Sequence, residues 1–149
     1  MKQILFLCHG NICRSPMAEY IMKYLVQQQG RDAQFFISSA AVSTEEIGND
    51  IYPPAKRILS LHHIPFSHHS ARQITKADYR RYDYIICMDQ SNLRLLQYII
   101  GDDADHKVSL LMSWAGQNRN VADPWYTDDF ETAYNDIYEG CNALLDSIL

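Results

Sequence analysis

The chain has 149 residues, of which 47% are hydrophobic and 21% charged, so one compact domain spanning residues 1–149 can bury its own core. Eighteen acidic residues against thirteen lysines and arginines give a formal net charge of −5, which argues against nucleic acids and membranes as partners. The apolar run at the N-terminus is too short for a secretion signal, and no run reaches the roughly 18 residues that span a bilayer. We therefore expect a cytoplasmic protein with four reduced cysteines: Cys8, Cys13, Cys87 and Cys141.

The first half of the chain alternates strand-like and helix-like segments. Residues 4–7 are uniformly apolar, which predicts a buried strand. Ser15 and Pro16 predict the start of a helix, because serine caps free amides and proline suits the first turn. Helical spacing places three polar side chains on the outer face of this helix: Glu19, Lys23 and Gln27. A second strand is predicted at residues 35–38 and a second helix at about 54–62.

The second half of the chain continues this alternation. Its patterns are, in chain order, a short capped helix after Thr75, a strand at residues 84–88, a helix capped by Ser91, a strand at residues 108–112 and a long helix with one apolar face from Phe130 onward. Four buried strands separated by helices predict an α/β fold: a three-layer, doubly wound, four-stranded parallel sheet with helices on both faces. Catalytic loops of such folds lie at the carboxyl ends of the strands.

The loop between the first strand and the first helix combines four features of an anion-binding site. Gly10 permits a turn in which consecutive amides point into one concavity, and the following helix adds the positive end of its dipole. Arg14 supplies a planar fork that matches two oxygens of a phosphoryl group. Cys8 lies at the end of the strand, where a thiol next to arginine and a helix N-terminus ionises readily. This loop therefore predicts a phosphate site with a sulfur nucleophile at its base.

The motif Cys8-x-Gly10-Asn11-Ile12-Cys13-Arg14-Ser15-Pro16 resembles the signature of the low-molecular-weight protein tyrosine phosphatases. The resemblance continues to Asp123-Pro124 and covers nearly the whole chain in order. It implies hydrolysis of phosphotyrosine in proteins through a cysteinyl-phosphate, with neither a metal nor another cofactor. By the same analogy, a cognate tyrosine kinase is an expected partner.

The resemblance also implies a role for each residue of the site. Cys8 attacks phosphorus, and the loop binds phosphate through these residues: His9, Gly10, Asn11, Ile12, Cys13, Arg14 and Ser15. The side chains of Asn11 and Ser15 would support the loop, with the Ser15 hydroxyl near the Cys8 sulfur. Asp123 is the general acid that protonates the leaving oxygen, and then the base that activates water.

Apart from the resemblance, the sequence gives weaker support for Asp123 as the general acid. A thiolate cannot donate a proton, so a carboxylic acid is needed opposite the loop, but eighteen acidic residues compete for that role. Asp123 stands out because Pro124 stiffens its segment and the aromatic pair Trp125 and Tyr126 follows, which suits a phenyl ring. We expect both aromatic residues to line the substrate cleft, with Trp125 at a position where relatives often have tyrosine.

Three further features affect specificity and regulation. Glu45 is expected in the cleft at a position that is often aromatic in the family, where a carboxylate would repel acidic peptides. Cys13 is a candidate redox partner of Cys8 by the resemblance, while a passive thiol fits the spacing equally well. Four histidines lack cysteine partners at ligand spacing, so we expect a solvated helix end and loop there rather than a metal site: His62, His63, His68 and His69.

Three other functions remain as alternatives. A thiol-dependent arsenate reductase shares this fold and loop but needs a relay of two further cysteines, and only Cys87 lies in the relevant stretch, while Cys141 lies on the apolar face of the last helix. Phosphatases that act on phosphoarginine are similar but tend to carry threonine at the position of Ile12. A phosphotyrosine-binding module without catalysis would leave Asp123 without a role.

Overall fold

The computed structural model describes all residues 1–149 and contains four strands and seven α-helices. The strands are β1 (Lys2–Cys8), β2 (Phe35–Ala41), β3 (Tyr84–Cys87) and β4 (Val108–Leu110). The helices are α1 (Arg14–Gln28), α2 (Pro53–Leu61), α3 (Lys76–Arg81), α4 (Gln90–Ile100), α5 (Leu111–Trp114), α6 (Pro124–Thr127) and α7 (Phe130–Ile148). A 3-10 turn at Asp32–Gln34 precedes β2. None of the helices is long and apolar enough to cross a membrane.

All four strands are parallel and follow the order β2-β1-β3-β4, which confirms the predicted fold class. Cys8 pairs with Ala41, Leu7 with Cys87, and Cys87 with Leu110. The carboxyl ends of all four strands therefore meet at one edge of the sheet, and the loops that leave this edge form the site described below.

The side chains of β1 alternate between two hydrophobic cores on opposite faces of the sheet. Ile4, Phe6 and Cys8 point into the larger core, which they share with α1, α2, α5 and α7. Leu5 and Leu7 point into the smaller core, beneath α3 and α4. This alternation directs the last side chain of β1, the Cys8 thiol, toward the N-terminus of α1.

Helix α1 differs from its prediction at two positions. Ser15 does not cap the helix: Cys13 is the N-cap, no side chain caps it, and the Ser15 hydroxyl points back into the preceding loop. Glu19 is buried rather than exposed, because its Oε1 accepts a 2.6 Å hydrogen bond from Ser39 Oγ on β2 and its Oε2 pairs with Lys23. Lys23 and Gln27 are exposed as predicted.

Two element boundaries in the second half also differ. Asp89 rather than Ser91 caps α4, because Asp89 Oδ1 accepts a 2.8 Å hydrogen bond from the Asn92 amide. The fourth strand stops at Leu110, and the next residues turn into α5. The capped helix after Thr75 and the long helix from Phe130 are both present where the sequence predicts them.

Candidate active site

The Cys8 sulfur lies at the carboxyl end of β1 and has two hydrogen-bond partners. The Asn11 amide donates to Cys8 Sγ at 3.3 Å, and Ser15 Oγ lies 3.0 Å from the same sulfur. The Asn11 amide is a donor, and the Ser15 hydroxyl can act as donor or acceptor, so both partners can hold the sulfur in this position. The site therefore places a nucleophilic atom at the start of a helix and next to polar donors.

Asn11 holds the loop in a conformation that few residues adopt. Its φ of 63° lies in the left-handed region, which asparagine tolerates better than most residues. Its buried side-chain amide donates to Ser15 Oγ at 2.8 Å and to Ser39 Oγ at 3.0 Å, while Asn11 Oδ1 accepts from the Arg72 amide at 3.2 Å. One side chain thus connects the loop to α1, to β2 and to the segment before α3.

His69 supports the same loop from behind. The Asn11 carbonyl accepts a 2.7 Å hydrogen bond from His69 Nε2, and the imidazole is buried. The prediction of a solvated histidine loop is therefore wrong for His69, although the side chain of His68 is exposed. The sequence around His69 has no helical or strand period, and its carbonyl partner is 58 residues away, so no local pattern indicated this contact.

The segment that follows β2 closes one side of the loop. The Ser43 amide and hydroxyl both donate to the His9 carbonyl, at 3.1 and 2.8 Å. A Cβ atom at Gly10 would lie 3.2 Å from Glu46 Cγ, so a side chain at this position would require the Glu46 side chain to shift. Gly10 therefore permits close packing here, and its neighbour His9 reaches Glu45 through a 2.9 Å contact between Nε2 and Oε2.

Arg14 is buried, with 2% of its side chain exposed, and all its partners belong to distant segments. Arg14 Nη1 donates to Asp89 Oδ2 at 2.7 Å and to the Val121 carbonyl at 2.8 Å, whereas Nη2 donates to Asp123 Oδ2 at 3.3 Å. Burial disfavours the charged guanidinium, but the negative groups of Cys8, Asp123 and Asp89 raise the pKa of Arg14 above its ordinary value. Arg14 is therefore a fixed cation in the same loop as Cys8.

Asp89 is a site residue that the sequence interpretation missed. It lies two residues after the end of β3, and its second carboxylate oxygen caps α4. The rule that polar residues after parallel strands gather at one sheet edge could have identified it. Its role in the structure is to orient the guanidinium of Arg14.

Asp123 lies on the opposite wall, where it caps α6. Its Oδ1 accepts a 3.0 Å hydrogen bond from the Trp125 amide, while Oδ2 faces Arg14. The rings of Trp125 and Tyr52 pack with their centroids 4.9 Å apart, and the Tyr52 amide donates to the Ile12 carbonyl at 2.9 Å. The segment that carries Asp123 is thus connected through Tyr52 to the loop between β1 and α1.

These segments line an open cleft at the sheet edge. Trp125 and Tyr126 are 52% and 84% exposed, so both present aromatic surface at its mouth. Asn11 and Ser15 are buried behind the cleft. The lining brings together most of the residues predicted from the sequence and adds Glu46: Cys8, His9, Gly10, Ile12, Cys13, Arg14, Glu45, Glu46, Asp123, Trp125 and Tyr126.

The other cysteines differ from Cys8 in their surroundings. All four cysteines are free thiols. Burial, and then the nearby Cys8, raise the pKa of Cys13 well above its ordinary value. Cys87 and Cys141 lie in the smaller and larger core, where burial raises the pKa of both thiols. Neither Cys87 nor Cys141 lines the cleft.

Comparison with known proteins assigns the chain to a family. Residues 3–149 match the sequence profile described as low molecular weight phosphotyrosine protein phosphatase. The human protein of that name is 42% identical over 150 residues, which cover 97% of this chain and 94% of the human one.

Solved structures agree with this assignment. The crystal structure of YfkJ from Bacillus subtilis, a protein named low molecular weight protein-tyrosine-phosphatase, is 36% identical, with a TM-score of 0.95 over 99% of this chain and 94% of that one. The crystal structure of a Drosophila arginine phosphatase is 32% identical, with a TM-score of 0.88 over 99% of this chain and 97% of that one. Given the profile match and the identity over nearly its full length, the chain belongs to the low-molecular-weight phosphotyrosine protein phosphatase family.

Proposed function

We propose that this protein hydrolyses phosphotyrosine in proteins by way of a phosphate ester on the Cys8 sulfur. The observation that carries the proposal is the placement of Arg14, whose guanidinium belongs to the same loop as Cys8 and also contacts Asp123 across the cleft. A nucleophile, a fixed cation and a carboxyl group thus surround one space. The relatives named phosphotyrosine phosphatases support phosphotyrosine as the substrate.

In the first step, the Cys8 thiolate attacks phosphorus. The sulfur–phosphorus bond forms as the bond from phosphorus to the tyrosine oxygen breaks, and Asp123 transfers its proton to that oxygen. Arg14 and the amides of the loop bind the non-bridging phosphate oxygens, whose charge they stabilise in the transition state. A general acid of this kind contributes roughly 10²–10⁴-fold to the rate.

In the second step, water attacks the phosphorus atom of the cysteinyl-phosphate. Asp123, now a carboxylate, removes a proton from the water as the new oxygen–phosphorus bond forms and the sulfur–phosphorus bond breaks. The electrons of the broken bond return to Cys8 as a thiolate. The Asn11 amide and the Ser15 hydroxyl are within reach of that sulfur and stabilise it as a leaving group.

The geometry disfavours the alternatives. A thiol-dependent arsenate reductase needs resolving cysteines within reach of the nucleophile, whereas Cys87 and Cys141 are buried away from the cleft. The arginine phosphatase relative makes phosphoarginine the closest competing substrate. Apolar Ile12 lines the cleft at a position where phosphoarginine phosphatases tend to carry threonine, and it favours a phenyl ring over a guanidinium.

The test is a steady-state assay on phosphotyrosine and phosphoarginine peptides of the same sequence, with EDTA present. We expect phosphotyrosine hydrolysis to persist in EDTA and to exceed phosphoarginine hydrolysis. In the Cys8→Ser protein, turnover should disappear while inorganic phosphate still binds, because the loop amides and Arg14 remain. Faster release of phosphate from phosphoarginine, or full activity of Cys8→Ser, would contradict the proposal.

We further propose that the enzyme works in the reducing cytoplasm, where it reverses phosphorylation by a tyrosine kinase. We also propose that Cys13 is a redox partner of Cys8. Because burial raises the pKa of Cys13, peroxide oxidises the Cys8 thiolate first and gives a sulfenic acid and hydroxide. The Cys13 thiol then displaces water from that sulfur to form a disulfide, so the two thiols supply the two electrons that reduce the peroxide.

The redox proposal predicts reversible inactivation by hydrogen peroxide. The wild-type protein should recover its activity with dithiothreitol after a pulse of peroxide. The Cys13→Ser protein should lose activity permanently under the same pulse, because its sulfenic acid has no partner and oxidises further. Cys87→Ser is the matched control and should behave like the wild type. Equal recovery of the Cys13→Ser and wild-type proteins would make Cys13 a passive thiol.

A further inference from the structure

We propose that Glu45 determines peptide specificity by selecting phosphotyrosines that have a lysine or arginine beside them. This inference rests on the proposed function and concerns the same cleft. Its starting point is the contact between Glu45 Oε2 and His9 Nε2, at 2.9 Å, which fixes a carboxylate to the loop that would bind the phosphate.

The carboxylate of Glu45 is available to a ligand. Its side chain is 67% exposed at the mouth of the cleft, and Oε1 makes no hydrogen bond within the protein. The His9 contact orders the other oxygen, and the Ser43 hydroxyl holds the backbone on both sides by donating to the His9 carbonyl and accepting from the Glu45 amide. A positioned carboxylate with a free oxygen loses little conformational entropy when it binds a cation.

Glu45 has no lysine or arginine partner, and its one side-chain contact is with His9. No lysine or arginine lies within 4.0 Å of Glu45 or of its neighbour Glu46, whose carboxylate accepts a hydrogen bond from the Asn49 amide group. Arg14, the one arginine or lysine lining the cleft, is buried and already bonded to two carboxylates. The rim on the Glu45 side is therefore acidic, and a basic substrate residue would complement it.

The position of Glu45 indicates which part of a substrate it meets. His9 directly follows the nucleophile, so the His9–Glu45 contact lies at the edge of the phosphate loop. Trp125 and Tyr126 form the aromatic side of the cleft mouth. A phosphotyrosine whose phosphate lies in the loop would pass between these sides, which brings the side chain of an adjacent residue to Glu45. A lysine or arginine there would be attracted, and a glutamate would be repelled.

The test measures binding separately from turnover. Three phosphotyrosine peptides, identical except for Lys, Ala or Glu beside the phosphotyrosine, are titrated into the Cys8→Ser protein by calorimetry at low salt. We expect the Lys peptide to bind about two- to five-fold more tightly than the Ala peptide, as for an exposed ion pair, and the Glu peptide to bind most weakly. The differences should shrink in 1 M salt, where the screening length is about 3 Å.

Two variants in the Cys8→Ser background identify the responsible residue. Glu45→Gln should bring the three dissociation constants together, and Glu45→Lys should reverse their order. Asp146→Asn is the matched control, because it removes one negative charge near the C-terminal end of α7. The nearby Leu149 lines a surface pocket with Met1, Lys2 and Phe35 at the opposite edge of the sheet. Asp146→Asn should preserve the preference.

The possible failures are distinguishable. Equal binding of the three peptides, a preference that survives Glu45→Gln, or the same loss of preference in Asp146→Asn would each overturn the role of Glu45. Absence of turnover on all three peptides by the protein with Cys8 intact would instead overturn the proposed function, while the binding measurements would still decide the specificity.

Discussion

Asp123 uses its two carboxylate oxygens for different contacts. Oδ1 caps α6 by accepting from the Trp125 amide, and Oδ2 lies 3.3 Å from Arg14 Nη2. The cap fixes the rotation of the side chain, so the second oxygen stays over the cleft. A substitution that keeps the cap but removes the exchangeable acid proton would therefore separate the chemical role from the structural one.

Asp123→Asn makes that separation, because asparagine is as good a helix cap as aspartate. We expect kcat/KM, which reports the step that forms the cysteinyl-phosphate, to fall by roughly 10²–10⁴-fold on a phosphate ester of a phenol with high pKa, and less on p-nitrophenyl phosphate, whose leaving group needs little protonation. The check is kcat/KM on both esters. An equal loss on both would remove Asp123 from the role of general acid.

Residues contiguous in the phosphate loop were the part of the site that the sequence predicted best. Cys8, Gly10 and Arg14 lie within a stretch of seven residues, so their chemistry can be judged together. Asp89 and His69 were missed, because each reaches the loop through a contact that spans more than 50 residues. Such contacts depend on the order of the strands in the sheet, and the local periodicity of the sequence carries no information about that order.

At the scale of elements, the packing of α7 on α5 leaves no room for a side chain at one position. A Cβ atom at Gly140 would lie 2.5 Å from Leu111 Cγ, and Leu111 is fully buried. Glycine weakens a helix interior by up to about 1 kcal/mol relative to alanine, so α7 carries that cost in exchange for close contact with α5.

Gly140→Ala tests this contact. We expect a net loss of about 1–2 kcal/mol in the free energy of unfolding, because overpacking costs roughly 1–3 kcal/mol and exceeds the gain in helix propensity. In a Leu111→Ala background the same substitution should be neutral or stabilising, since the clash is gone. Urea unfolding of the four proteins measures the coupling; additive effects would contradict the predicted clash.

The type of an element was predictable where its hydrophobic pattern was long. The start of a helix was predictable where the capping residue is recognisable in the neighbouring sequence. The apolar face of α7 and the cap at Thr75 are in place as expected. The errors arose where tertiary contacts override local signals: Glu19 is buried because Ser39 on β2 is its partner, and α4 starts at Gln90 because Asp89 and not Ser91 caps it.

At the scale of the whole molecule, Asp50 joins three segments that surround the site. Its Oδ1 accepts from the amides of Ile51 and His69, and its Oδ2 pairs with Lys56 on α2. The hydrogen bond from Lys56 is the largest cause that lowers the pKa of Asp50 to about 2, from an ordinary value of 3.8. This carboxylate therefore contributes to stability in its ionised form.

The lowered pKa fixes the sign of the pH dependence. The contribution of Asp50 is complete above about pH 4 and is lost as the pH falls through about 2, because the unfolded state then binds the proton more tightly. We expect it to be about 1 kcal/mol, since the pair is partly exposed. Asp50→Asn should reduce the difference in unfolding free energy between pH 5 and pH 2 by that amount.

Asp102→Asn is the control for this measurement, because Asp102 is exposed and its carboxylate makes no hydrogen bond or ion pair. Urea unfolding at pH 5, 3 and 2 provides the comparison. An Asp50→Asn protein with the same acid sensitivity as the Asp102→Asn protein would mean that the Asp50 contacts do not stabilise the fold.

The burial of Arg14 has a consequence for the evolution of this chain. Its guanidinium contributes one positive charge between the carboxylates of Asp89 and Asp123, and loss of one member of a buried ion pair costs roughly 3–5 kcal/mol. A descendant under no selection for catalysis could exchange Cys8 for another small residue at little cost, but could not discard the arginine without also replacing its two acidic neighbours. Inactive descendants should therefore keep the arginine long after the cysteine has changed.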